Sequence, residues 1–249
     1  MCSRSVRPSR SDVNANYKGL ALASTPGGNR LLAADFANGR IDTFDGGFNL
    51  LGQSFNDPTL PGGYSPFNVS AMGGRVYVTY ALQDAGGEEE VIGAGNGIVS
   101  VFGTDGSFQQ RLVDTGDVLN APWGMAIAPA GFGPLSGALL VGNFGDGRIN
   151  AFDPVTGAPL GVLPGDDGNP LEVDGLWGFA FGNGVQFQPR TTLFFAAGPD
   201  GETNGLYGRI DVPAPGCAAV LMSVAAHGLG RPPTSERPRI PARAHQFVH

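Results

Sequence analysis

The chain has 249 residues, 41% hydrophobic, with 41 glycines and a net charge of −7 from 22 acidic and 15 basic side chains. That length suits one domain of ordinary size, and the apolar content excludes a chain too polar to build a core. Between residues 16 and 211 the balance is 20 acidic to 8 basic, which repels phosphate backbones, so no nucleic acid is expected as a partner.

Residues 1–15 start basic, with no apolar run behind them; they are expected to form a disordered leader, and no signal peptide is visible. Next comes a four-fold echo. GLALA, NVSAM, GMAIA and GFAFG begin at Gly19, Asn68, Gly124 and Gly178, at intervals of 49, 56 and 54 residues. Each echo is followed by a second apolar run and by a Gly-rich turn into a further strand. Short strands at a period near fifty indicate a propeller or an array.

In chain order, the first repeat predicts strands over Gly19–Ala23, Arg30–Ala34, Arg40–Phe44 and Phe48–Phe55. The second predicts Phe67–Met72, Arg75–Ala81, Ile98–Phe102 and Phe108–Val113. The third predicts Trp123–Ala128, Ala138–Asn143, Arg148–Phe152 and Pro159–Leu163. Asn-Gly and Asp-Gly turns punctuate these runs, as hairpins require. The fourth repeat supplies Trp177–Phe181, Thr192–Ala197 and Leu206–Asp211, and stops one strand short at Val212-Pro213; a strand from the N-terminal side would complete it. Leu82–Asn96 and Pro164–Gly175 read as surface loops. Four blades over 16–211, all-β, in an open or incomplete ring, are the expected architecture.

Beyond the repeats, Cys217–Ala226 is an apolar run of ten residues, short of the ~20 that cross a bilayer. Residues 231–249 are basic and Pro-rich and are expected to be disordered. Cys2 and Cys217 both lie outside the repeats, without metal-type spacing. All three histidines (His227, His245 and His249) fall in the tail. Ser-His-Asp catalysis and His-based zinc sites are thereby excluded from the body.

Several segments are more specific. They include YKGLALA at 17–23, VYVTYALQDA at 76–85, GAGNGIVSVF at 93–102 and LNAPWGMAIAPAGFG at 119–133, followed by LLVGNFGDGRINAFDP at 139–154, DGLWGFAFGNG at 174–184 and LFFAAGPDGETNGLYG at 193–208. Together they resemble NHL-type propellers, in particular a bacterial family of exported propellers of unknown function that often carries a PEP-CTERM sorting tail. The resemblance implies six blades with the first one or two absent here, and an extracytoplasmic location. It also makes VPAPG and the apolar run after it, within 212–230, look like a degenerate PEP-CTERM segment. His227 and the Pro-rich ending depart from the family's longer apolar helix and arginine cluster. Family members often have a histidine where this chain has Asn204.

Aligning the echoes puts Lys18, Phe67, Trp123 and Trp177 at one equivalent position, just before the innermost strand. They form either a ligand-binding collar at the channel mouth, able to stack on sugar rings or other flat ligands, or wedges between blades. Asp35 and Asn143 are equivalent at the end of the second strand, with Tyr80 and Ala197 in the other repeats. Asn120 and Asp174 are equivalent four residues before Gly124 and Gly178. Converging oxygens of this kind could hold Ca²⁺ as the one candidate cofactor; alternatively they bond backbone groups in turns. Glu88, Glu89 and Glu90 read as a solvated charge run. GAGNG at 93–97 precedes a strand rather than a helix and is no dinucleotide fingerprint. The sequon at 68–70 falls in an expected buried strand.

The functional expectation is an exported, non-catalytic, monomeric propeller that binds or scaffolds an extracytoplasmic ligand or matrix component. The competing expectation is a Ca²⁺-dependent hydrolase of the lactonase type.

Overall fold

A computed structural model describes residues 10–52, 55–116, 118–212 and 244–247. Most of the expected leader, the PEP-CTERM-like segment after Val212 and most of the basic tail lie outside the described residues.

Four antiparallel sheets follow one another along the chain. Blade one contains β1 (Tyr17–Thr25), β2 (Gly28–Asp35) and β3 (Arg40–Phe44). Blade two contains β4 (Tyr64–Met72), β5 (Arg75–Leu82), β6 (Gly97–Gly103) and β7 (Phe108–Val113). Blade three contains β8 (Pro122–Ile127), β9 (Leu139–Asn143), β10 (Ile149–Phe152) and β11 (Pro159–Val162). Blade four contains β12 (Leu176–Phe181), β13 (Thr192–Ala197), β14 (Leu206–Asp211) and β15 (Ala244–Phe247). Each sheet is a meander that runs outward from its first strand. The first strands β1, β4, β8 and β12 pack side by side in that order and jointly line a central cleft of about 590 Å³. β1 and β12 make no comparable contact. The fold is therefore a β-propeller with an open ring.

Period-two alternation explains the stacking. Ala23, Leu32, Ala34 and Ile41 of blade one meet Val69, Val76, Val78 and Ile98 of blade two. Val99, Val101 and Val113 face Met125, Leu139, Val141 and Phe152 of blade three. The opposite face of blade three, with Leu140, Ile149 and Ala151, meets Leu193, Phe195 and Ile210 of blade four. β-branched and aromatic side chains dominate these layers because they fit a pleated, two-sided core. Between blades one and two, the Asp57 carboxylate accepts bonds from Thr59 N (2.8 Å) and Ser100 Oγ (2.8 Å) and pairs with Arg111 at 3.2 Å, so it ties the connecting loop to β6 and β7.

Two boundaries differ from the sequence reading. Phe48–Phe55 is not a strand among the described residues. Asp45 Oδ1 instead accepts Gly47 N and Asn49 N, both at 2.8 Å, and folds the segment into a turn. Phe48 and Phe55 have φ of 63° and 65°, which a β-ladder does not accommodate. Only an isolated bridge, Phe44 to Leu50, remains. Blade four is completed from the C-terminal side, where Ala244–Phe247 pairs with β14; that strand falls within the stretch expected to be disordered.

Candidate functional site

In every blade the pairing of the first two strands slips at one place. The register breaks between Tyr17 and Gly19, Pro66 and Asn68, Pro122 and Met125, and Leu176 and Phe179. The residues left out of the ladder are Lys18, Phe67, Trp123 with Gly124, and Trp177 with Gly178. The four sequence-equivalent positions thus stand on four equivalent β-bulges. A bulge bends its strand and re-aims a side chain. All four adjoin the pairs that Tyr17, Pro66, Pro122 and Leu176 make with Asp35, Tyr80, Asn143 and Ala197 of the second strands.

Their aromatic members bridge blades. Phe67 is fully buried and lies 5.4 Å from Phe36, the residue after β2 of the preceding blade. Trp177 lies 5.0 Å from Phe144, the residue after β9. At the corresponding place Trp123 meets the cluster that contains Ala81. It reaches Trp177 edge-on, at 5.6 Å between centroids and 89° between planes. Gly178 makes that approach possible, since a Cβ there would lie 2.9 Å from Trp123 Cζ3. Trp123 Nε1 is buried without a hydrogen-bond partner.

Lys18 differs in chemistry from the other three and joins an ion pair instead. Its Nζ lies 2.7 Å from Glu89 and 3.7 Å from Glu90, and 5.8 Å from the Phe36 ring centre. The acidic run expected to be solvated is therefore partly held down. Asn16 Nδ2 donates to Glu88 O (3.1 Å), and Gly93 N donates to Asn120 Oδ1 (2.8 Å). The 82–96 loop is thus fastened to blade one at its tip and to the connection leading into blade three beyond it.

Asn68 opens the second echo where the others have glycine. Its Nδ2 donates to Trp123 O at 2.6 Å, and its Oδ1 fills the space that a side chain on Gly19 would need. One side chain therefore links the inner strands of blades one, two and three, next to the Trp123 bulge.

Trp123 and Trp177 are both half-buried. Their open sides border a groove of about 610 Å³ that continues along blade four past Phe179, Phe194, Gln188 and Tyr207. Phe194 and Tyr207 stack at 6.1 Å and 16°. Neither was singled out in the sequence; the signal was a pair of aromatics in the second and third strands of the fourth repeat.

The candidate calcium ligands are engaged in turns. Asp35 is fully buried; its oxygens accept Asn16 N (3.1 Å) and Asn38 Nδ2 (2.8 Å) and pair with Arg40 at 3.2 Å. Asp174 is exposed and caps Asp200 N at 3.0 Å. Asn143 Nδ2 donates to Val118 O at 2.9 Å, and only its Oδ1 is buried without a partner. Among the described residues no three acidic, His or Cys side chains are grouped to hold a metal. A calcium ion needs six to eight oxygens. Here a guanidinium and backbone amides already use most of those oxygens, so the set as arranged does not fit the ion.

No family model matches the sequence. Two uncharacterised proteins of Acanthamoeba polyphaga mimivirus are 40% and 39% identical to it over 201 residues, spanning 78% of this chain and 48% and 51% of their own. The chain thus covers about half the length of the curated relatives it matches. These relatives are viral, whereas the sequence resemblance pointed to bacterial proteins. Among solved structures, a Bacteroides caccae protein of unknown function has a TM-score of 0.49 at 13% identity, over 80% of this chain and 57% of its own. A Xanthomonas campestris gluconolactonase has a TM-score of 0.46 at 20% identity, over 75% and 59%.

Proposed function

We propose that the chain is a non-catalytic binding or scaffold module of the NHL-like type, and that its contact surface is the aromatic groove on blade four. The observation that carries this reading is the composition of the groove. Trp123, Trp177, Phe179, Phe194 and Tyr207 line it, and Tyr207 is the only titratable side chain among its lining residues. Such a surface offers flat apolar area at low entropic cost and little means of moving a proton. The buried carboxylates support the same view. Asp35 and Asp57 are committed to arginines and turn amides rather than aimed at a cleft. The extracytoplasmic location implied by the sequence resemblance is part of the proposal.

The two tryptophans are the only ones in the chain, so their emission reports on the groove directly. Emission is recorded against a panel of soluble hexasaccharides and against rising concentration of the protein itself. A contact on the groove changes the spectrum, and Tyr207→Lys abolishes the change. Emission that responds to neither series would remove the support for a binding surface here.

A further inference from the structure

We infer that the end of the groove where the two indoles meet takes an alkylated ammonium group; the inference rests on the binding reading above and names a ligand class for it. Ring geometry sets the shape. The planes of Trp123 and Trp177 stand at 89° with centroids 5.6 Å apart, and Phe144 packs against Trp177 at 5.0 Å. The two indoles therefore form perpendicular walls of a corner, held in place by packing before any ligand arrives. An indole is electron-rich on its face and electron-poor at its edge, so its face attracts a cation.

Charge around the corner points the same way. No basic side chain is among the residues that line the groove. The loops that lead into β12 and join β13 to β14, residues 164–175 and 198–205, hold six acidic side chains and no basic one. Three of these are engaged: Glu172 pairs with Arg148 at 2.7 Å, Asp174 accepts Asp200 N, and Asp200 accepts Asn204 Nδ2 at 2.8 Å. Glu202 is exposed, and its carboxylate has no hydrogen-bond or ion-pair partner among the described residues. It stands beside the corner. A Cβ on Gly198 would lie 3.3 Å from Trp177 Nε1 and 3.4 Å from Glu202 Cγ, so the indole and the glutamate border the same glycine. Glu202 N donates to Gly198 O at 3.1 Å, and the turn holds Asp200 and Glu202 at φ of 58° and 64°, a conformation that costs residues other than glycine.

The choice of an alkylated nitrogen follows from what the corner lacks. A primary ammonium is strongly hydrated and needs several acceptors, whereas the corner offers one carboxylate beside ring faces. Alkyl groups on the nitrogen lower the cost of dehydration and give the rings a surface to pack on. The groove, about 610 Å³, continues past Phe179 and Phe194 and has room for an apolar remainder. A trimethyllysine side chain and a free choline-like molecule present the same group.

Titration with tetramethylammonium chloride, read by tryptophan emission at constant ionic strength, tests the inference. The response should saturate and should be absent with ammonium chloride. Choline should bind about 5–30-fold more tightly than its uncharged isostere, in which carbon replaces nitrogen. Glu202→Gln changes an exposed side chain and should weaken choline binding about two- to fivefold with an unchanged melting curve. A short peptide carrying trimethyllysine separates the sources: tighter binding than choline makes a modified polypeptide the ligand, and weaker binding makes it a free small molecule. Equal affinity for choline and the isostere, or binding untouched by Glu202→Gln, overturns the cation preference. If emission then still responds to a saccharide or to the protein's own concentration, the groove remains a binding surface; if it responds to none of these, the binding reading falls as well.

Discussion

Replacing Gly19 with alanine tests why three of the four echoes begin with glycine. A Cβ on Gly19 would meet Asn68 Oδ1 and would lie 2.7 Å from Asn68 Cα. Rotating the Asn68 side chain relieves the first clash but not the second, because Cα belongs to the neighbouring strand. β1 and β4 must therefore move apart along the layer where Ala23 meets Val69. Overpacking of this kind costs about 1–3 kcal/mol, offset by ~0.4–1 kcal/mol from the stiffer unfolded chain. The control is Gly62→Ala, since a Cβ there meets nothing within 4 Å; it should be neutral or slightly stabilising. Urea titration followed by circular dichroism should show Gly19→Ala with a lower midpoint and Gly62→Ala without one. For a domain of this size each kcal/mol moves the melting temperature by about 2–4 °C. Adding Asn68→Ala should recover only part of the loss, because that change also leaves Trp123 O without its donor. Equal stability of the two glycine variants would refute the claim that crowding of the inner strands selects glycine.

Two further predictions concern carboxylates. The Asn49 side chain and backbone lower the pKa of Asp45, Ser107 that of Asp105, the amides of Thr156 and Val155 that of Asp153, and the amides of Glu89 and Glu88 that of Asp84. Burial raises Asp57, but bonds from Thr59, Ser100 and Arg111 outweigh it and the net direction is down. A folded pKa below the unfolded one gives stability that is full above the unfolded value and lost as pH falls through the folded one. Melting temperature should therefore hold from neutral pH to about 5 and then fall steeply below about 4; a flat profile through that window would contradict the assigned bonds. Separately, Asp35→Ala should cost about 1–3 kcal/mol by removing the acceptor of Asn16 N and Asn38 and one of the two carboxylates paired with Arg40, which keeps Asp42, with Ca²⁺ and Mg²⁺ acting alike on wild type and variant. A Ca²⁺-specific rise in melting temperature that Asp35→Ala abolishes would restore the metal reading.

The blades were legible because local pattern and global fold agree. RIDTF and RINAF carry the alternation of a strand packed on both faces, and they appear as β3 and as the segment ending in β10. The fourth strand of blade one was misread for a local reason. Phe48, Leu50 and Phe55 alternate acceptably, but Asp45 sits where its carboxylate captures the next free amides. Short-range side-chain capture then wins over a ladder that has nothing beyond it to pack against. Periodicity could not weigh that competition, because it counts apolar positions and ignores where a carboxylate can reach.

The candidate site was half legible for a related reason. Equivalence of Lys18, Phe67, Trp123 and Trp177 follows from aligning the echoes, and the bulges confirm it position by position. What each residue does there depends on the blade before it, which the repeat alone does not show. Phe36 gives Phe67 a partner and Phe67 is buried, whereas Trp123 packs against the cluster that contains the smaller Ala81 on one side and against Trp177 on the other. Both tryptophans stay half-buried, with one side of each on the groove along blade four. Leu32, Tyr77 and Leu140 are core where their blades meet the next one, and Phe194, at the same position of blade four, borders the groove. Whatever covers the groove therefore decides whether the tryptophans act as packing or as a binding face.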